Sequence, residues 1–134
     1  QYGLSSSHCK INIQVDGARS TARMDWYEGK NFPLVEITVK TLDEYLQQEG
    51  IEQVRLWKLD VEGHELEALN GARKYLQKHK IGAILIEVSS QLEVTRFLKK
   101  YGYELYMLRS SGQLKKVVEK MTGTCNMIAL PNEI

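Results

Sequence analysis

Residues 56–72 read LWKLDVEGHELEALNGA. An apolar strand runs into two carboxylates, Asp60 and Glu62, then a glycine, then an amphipathic helix. In an open α/β sheet, ligands bind in the crevice at the carboxyl ends of the strands. Asp60 and Glu62 fall at such an end, so Leu56 to Glu65 is the first candidate for a working site.

The flanking sequence repeats the strand–helix alternation. Upstream, Leu34 to Val39 reads as a strand. Thr41 then opens a helix, with Glu44 three residues on completing a capping box. Leu42, Tyr45 and Leu46 are expected to face inward, and Gly50 to stop the helix. Val54 to Asp60 is expected as a buried strand. The helix after Gly63 is expected to reach about Lys78, with Leu66, Leu69, Ala72 and Leu76 on its inner stripe. Glu62, Glu65 and Glu67 near its start and Lys78, His79 and Lys80 at its end suit the helix dipole.

Gly82 to Val88 is almost wholly apolar, as a central parallel strand should be. Ser90 and Glu93 suggest a second capping box. The helix that follows carries Val94, Phe97, Leu98 and Tyr101 at i, i+3, i+4 and i+7 and ends at Gly102. Tyr103 to Leu108 and Cys125 to Leu130 read as the last two strands, separated by a polar loop at 109–123. Strand–helix–strand–helix–strand over 34–108 calls for a parallel sheet, and the final pair for an antiparallel closing hairpin. Near the start, Cys9, Ile11, Ile13 and Val15 alternate on one strand face. Asp16-Gly17 turns the chain toward a second extended run at 20–27, making residues 1–33 a hairpin and loop insertion before the repeats at 34–134.

A length of 134 residues, 43% of them hydrophobic, bounds the chain to one domain with a core. A formal charge of +1 favours neither nucleic acid nor a membrane surface as partner. The basic residues Arg109, Lys115, Lys116 and Lys120 read as a solvated loop face. No apolar run approaches the roughly 20 residues of a spanning helix. Cys9 and Cys125 fit no zinc or redox spacing; two free thiols and a cytoplasmic location are expected, with a disulfide left open.

Four pieces of sequence stand in a specific order: Thr41-Leu42-Asp43, Lys58 to Glu65, Gly71-Ala72 and Ile86-Glu87-Val88. Together they resemble the FkbM-type methyltransferases, over about residues 35–108 with a continuation to Pro131. The resemblance implies a Rossmann-like class I methyltransferase sheet with antiparallel closing strands, and S-adenosyl-L-methionine as cofactor. It also implies a small-molecule or sugar hydroxyl as acceptor. Such folds carry a glycine-rich loop after the first strand, yet no two of the ten glycines here are separated by one residue. The chain, which begins at Gln1, therefore reads as the C-terminal part of a methyltransferase whose first strands are missing, and it is not expected to be active alone.

Methyl transfer to an alcohol needs alignment of acceptor and methyl, and a base for the acceptor proton. Asp60, Glu62 and His64 are the candidate catalytic residues. The resemblance places Asp60 beside the cofactor's methyl, with Asp60 and Glu62 as cofactor contacts and Glu87 as a substrate contact. Each has a plainer reading. Glu62 and Glu65 would suit capping of free helix N–H groups. His64 titrates near neutral pH, but this slot in the motif varies, and no second histidine completes a zincin motif. Lys58 suits an ion pair with a strand-end carboxylate or a snorkelling role. Glu87, in an apolar run, needs either a partner or the sheet's carboxyl end. Gly71, inside a helical pattern, implies close packing. Trp26 and Trp57 read as packing residues.

Two other classes compete. A magnesium-dependent phosphodiesterase would hold its metal with Asp60, Glu62 and Glu87, although no lysine follows Glu87 at nuclease spacing; the leading reading requires no metal. A non-catalytic α/β interaction module would explain the missing glycine loop. If the first strands are missing, Val54 to Asp60 becomes an apolar edge, and self-association through it is expected.

Overall fold

The computed structural model of the protein describes residues 2–16, 20–22, 31–88, 91–108, 111–117 and 125–132. Among these the architecture is mixed α/β, with two sheets and four helices. The chain divides into two compact units, Gln1–Gly50 with Val61–Arg73, and Ile51–Asp60 with Lys74–Ile134.

The first unit contains β1 (Gly3–Leu4), β2 (Cys9–Gln14), β3 (Leu34–Lys40), α1 (Leu42–Gln48) and α2 (Glu65–Asn70). β3 is the middle strand, parallel to β1 and antiparallel to β2, with Cys9 opposite Val39 and Ile13 opposite Val35. The expected single parallel sheet beginning at residue 34 is thus corrected. β3 reads LVEITVK, with Glu36, Thr38 and Lys40 on one face. Its first three residues are exposed, which suits a half-solvated antiparallel partner. Of the expected hairpin after Val15, the described part is one antiparallel bridge between Gln14 and Thr21; the rest, with Trp26, lies outside the described residues.

α1 begins as its sequence dictates. The Thr41 hydroxyl accepts from the Glu44 N–H, and the Glu44 carboxylate accepts from the Thr41 N–H. Leu42 and Leu46 are buried, whereas Tyr45 is exposed, because a seven-residue helix buries only a narrow stripe. Gly50 ends the turn at φ +67°. The helix expected over 64–78 is two helices, α2 and α3 (Arg73–Gln77), interrupted at Gly71-Ala72. The interruption has a packing cause. The Ser5 carbonyl oxygen occupies the space a side chain on residue 71 would need, and the Thr41 Cα lies 3.2 Å from it. The Gly71 carbonyl meanwhile accepts from the Asp43 N–H at 2.9 Å.

The second unit is built on a five-stranded sheet in the order β4-β5-β8-β6-β7, where β4 is Trp57–Leu59, β5 Ile84–Val88, β6 Tyr103–Leu108, β7 Leu114–Lys116 and β8 Cys125–Pro131. β4 is parallel to β5. β8 is antiparallel to β5 on one side and to β6 on the other, so β5 and β6 run the same way. β5 is an interior strand, as its apolar run implies, but only one of its neighbours is parallel. The closing strands are antiparallel as expected. They gain β7, which pairs with β6 inside the segment read as a loop. β7 is short and wholly exposed, so no apolar period marks it.

The β4 segment is shorter than expected. Leu56 is exposed, Val54 makes a single bridge to Ile81, and only Trp57 and Leu59 are buried. Ile84, Ile86, Leu105, Met127 and Ala129 fill the sheet's buried face, with Leu76 of α3 and Val94 and Leu98 of α4 (Gln91–Lys100) also buried. Tyr103 is fully buried, and its hydroxyl donates to the Ile81 carbonyl at 2.7 Å. The Ser90 cap expected for α4 lies outside the described residues.

Candidate active site

The motif residues are distributed over both units. In the first, the chain turns sharply before α2. Glu62 adopts φ +48° and Gly63 φ +90°. The left-handed region costs a residue with a Cβ about 1–2 kcal/mol, so the surroundings must hold Glu62 there. Among the described residues three contacts hold the turn: the Thr21 hydroxyl donates to the Glu62 carbonyl at 2.6 Å, the Gly63 N–H to the Glu65 carboxylate at 3.0 Å, and the His64 N–H to the Val61 carbonyl at 3.2 Å. Thr21 and Glu65 are both buried. Glu65 thus serves the backbone, as its plainer reading held. The Glu62 carboxylate is left free of capping duty among the described residues.

His64 is the N-cap residue of α2, yet its side chain makes no capping bond. Its imidazole is half-buried, and Nε2 shares a 3.0 Å hydrogen bond with the Ser5 hydroxyl. Burial holds the imidazole pKa below its ordinary value, with Glu67 and Glu65 opposing that shift. A ring of this kind is neutral near physiological pH and able to accept a proton. No described residue bonds its Nδ1 atom.

In the second unit, Asp60 follows the last residue of β4 and is exposed. Its Oδ2 lies 3.2 Å from Lys58 Nζ, so the pairing reading of Lys58 is the one observed. An exposed pair of this kind contributes only about 0–1 kcal/mol, which leaves the carboxylate available to other ligands. Glu87 is half-buried on β5, opposite Asn126 of β8. A surface hollow of about 440 Å³ in the same unit, lined by Gln77, His79, Lys100, Tyr101 and Gly102, contains none of the motif residues. Its histidine is already engaged, donating from Nε2 to the Tyr101 carbonyl.

Cys9 is free and exposed. Among the described residues no group of three His, Cys, Asp or Glu side chains could hold a metal ion, so the phosphodiesterase reading gains no ligand set. No helix among them is long and apolar enough to cross a membrane. Sequence reasoning missed Ser5 and Thr21. Both are small hydroxyl residues in ordinary polar stretches, and nothing local ties them to residues 62–64.

The first unit thus brings a left-handed acidic turn next to a half-buried histidine. The model of the methyltransferase FkbM domain matches residues 2–105, well over half of the chain, and the chain belongs to that family. No curated protein and no solved structure matches it. Membership makes methyl transfer the activity class. The family match also takes in β1 and Ser5, upstream of the motifs that carry the resemblance.

Proposed function

We propose that the protein is an S-adenosylmethionine-dependent methyltransferase that methylates a hydroxyl of a small molecule or sugar, on a Rossmann-like class I sheet. The sheet supports this reading through its strand order. β4, β5 and β6 run in one direction and β8 is antiparallel to both β5 and β6, in keeping with the antiparallel closing strands that the resemblance implies.

The observation that carries the chemistry is His64, a neutral, half-buried base immediately after the strained turn. The donor set also fits the cofactor, whose sulfonium, ammonium and ribose hydroxyls suit carboxylate acceptors. Asp60 and Glu62 are the carboxylates that would hold it. Bound S-adenosylmethionine supplies an electrophilic methyl group. With that group bound, His64 Nδ1 would accept the proton of the acceptor hydroxyl. Glu87, in the second unit, is proposed as a substrate contact. β4 is the outer strand of its sheet, and self-association through it belongs to the same proposal.

Calorimetric titration of S-adenosylhomocysteine tests the reading. Saturable binding that weakens about tenfold in Asp60→Asn, the loss of roughly one charge-assisted hydrogen bond, supports it. No binding by the full-length protein would sink it.

A further inference from the structure

We propose that Ser5 is a positioning residue for His64. Its hydroxyl accepts the Nε2–H of the imidazole, fixes the ring as the Nε2–H tautomer, and leaves the Nδ1 lone pair as the base. The catalytic purpose and the direction of the bond rest on the methyltransferase reading; the contact itself does not.

Three observations carry the assignment. First, Ser5 is held at both of its peptide groups. Its N–H donates to the Lys40 carbonyl at 2.9 Å, and its carbonyl is packed against Gly71. Its side chain therefore projects from a fixed point, and Ser5 is buried. Second, its Oγ lies 3.0 Å from His64 Nε2, across 59 residues of sequence. His64 makes no side-chain capping bond, so among the described residues this contact is what orients the ring. Third, the charges acting on the ring, those of Glu67 and Glu65, come from its own helix. Ser5 itself is neutral.

The direction of the bond follows from what a base must do. A hydroxyl can donate one hydrogen and accept two, whereas an imidazole nitrogen is donor or acceptor according to tautomer. If Ser5 donated to Nε2, the proton would sit on Nδ1, and no lone pair would remain for the acceptor alcohol. With Nε2–H donating to Oγ, Nδ1 is the free acceptor. Once Nδ1 takes a proton, the Nε2–H to Oγ bond becomes charge-assisted and strengthens. Ser5 would then favour the protonated product of the step more than its neutral starting state. That difference between the two states is what assists catalysis.

The test reads the ring directly and the reaction separately. Nitrogen-edited NMR of the histidine rings, with His64 assigned by its loss in His64→Gln, reports the tautomer without any cofactor. The wild-type protein should show His64 protonated at Nε2. Ser5→Ala should mix the tautomers and lower the His64 pKa further, and Ser5→Thr should restore the wild-type ring. In methyl transfer, Ser5→Ala should lower kcat about tenfold, part of what a general base contributes, with KM for the acceptor nearly unchanged. The acid limb of the kcat–pH profile should move to lower pH, and Ser5→Thr should recover most of the rate.

An Nδ1–H tautomer in the wild-type protein overturns the assignment, even if Ser5→Ala fails to fold. A wild-type tautomer and rate in folded Ser5→Ala overturn it equally. An intact Nε2–H tautomer in a full-length protein that transfers no methyl group overturns the catalytic purpose alone, which separates that failure from failure of the contact.

Discussion

The carbonyl oxygen of Ser5 stands where a Cβ on Gly71 would have to go. Gly71 has φ −75°, an ordinary helical value, so the glycine is required by space and not by its backbone angles. Helix propensity alone would make Gly71→Ala stabilising by about 1 kcal/mol. The obstructing atom belongs to the backbone, however, and overpacking of this kind costs about 1–3 kcal/mol or more. Gly71→Ala should therefore lower the midpoint of urea unfolding. A raised midpoint would show that the segment after β1 can move aside.

Thr41→Ala removes half of a complete capping box, in which hydroxyl and carboxylate each satisfy one backbone N–H. A loss of about 1 kcal/mol is expected, measured by denaturant unfolding. Thr41→Ser keeps the oxygen and should retain most of the stability. Equal losses in both variants would assign the effect to the threonine methyl group.

Tyr103 titrates late because its hydroxyl is buried, and its pKa is pushed up to about 12 from an ordinary value of 10.0. The folded state binds this proton more tightly than the unfolded chain does. Its contribution is thus fully present below pH 10.0 and is lost as pH rises toward about 12. An ultraviolet titration should show a late phase from Tyr103, and Tyr103→Phe should abolish it. The same variant strands the Ile81 carbonyl and should cost about 1–3 kcal/mol.

For His64 the sign is reversed. Burial lowers its pKa from 6.5, so the folded state prefers the neutral ring. The associated stability is fully present above pH 6.5 and is lost as pH falls through the folded value. Thermal unfolding of wild type and His64→Gln across this range should show a smaller acid-side loss in the variant. Parallel curves would mean that the ring is charged without penalty, which argues against a neutral base.

Much of the local structure was legible because its causes are local. Thr41 and Glu44 sit three residues apart and must cap if a helix starts there. Gly50 accepts the positive φ that ends it. Val94 and Leu98 lie on one helical stripe and are buried together. Tyr45 was misjudged because it sits at the margin of its stripe, where only the neighbouring element decides exposure. β7 was missed because its three exposed residues are held by backbone pairing to β6, which leaves no mark in side-chain type.

The candidate site divides in the same way. Asp60, Glu62 and His64 are proposed from a contiguous motif, and Glu65 could be read as a backbone ligand from its place in the first helical turn. Ser5 and Thr21 lie 59 and 41 residues from their partners, beyond any periodicity or spacing rule.

The sequence by itself determined where most strands and helices begin and end, how α1 is capped, and which family the motif resembles. Those outcomes follow from side-chain period, capping chemistry and glycine, each acting within a few residues. Only the tertiary structure decided that β3 joins β1 and β2, that β8 lies between β5 and β6, that the helix breaks at Gly71, and that Ser5 meets His64. Each of these depends on which distant surfaces come into contact. That choice is made by burial and backbone pairing across the whole fold, and no local stretch of chain encodes it.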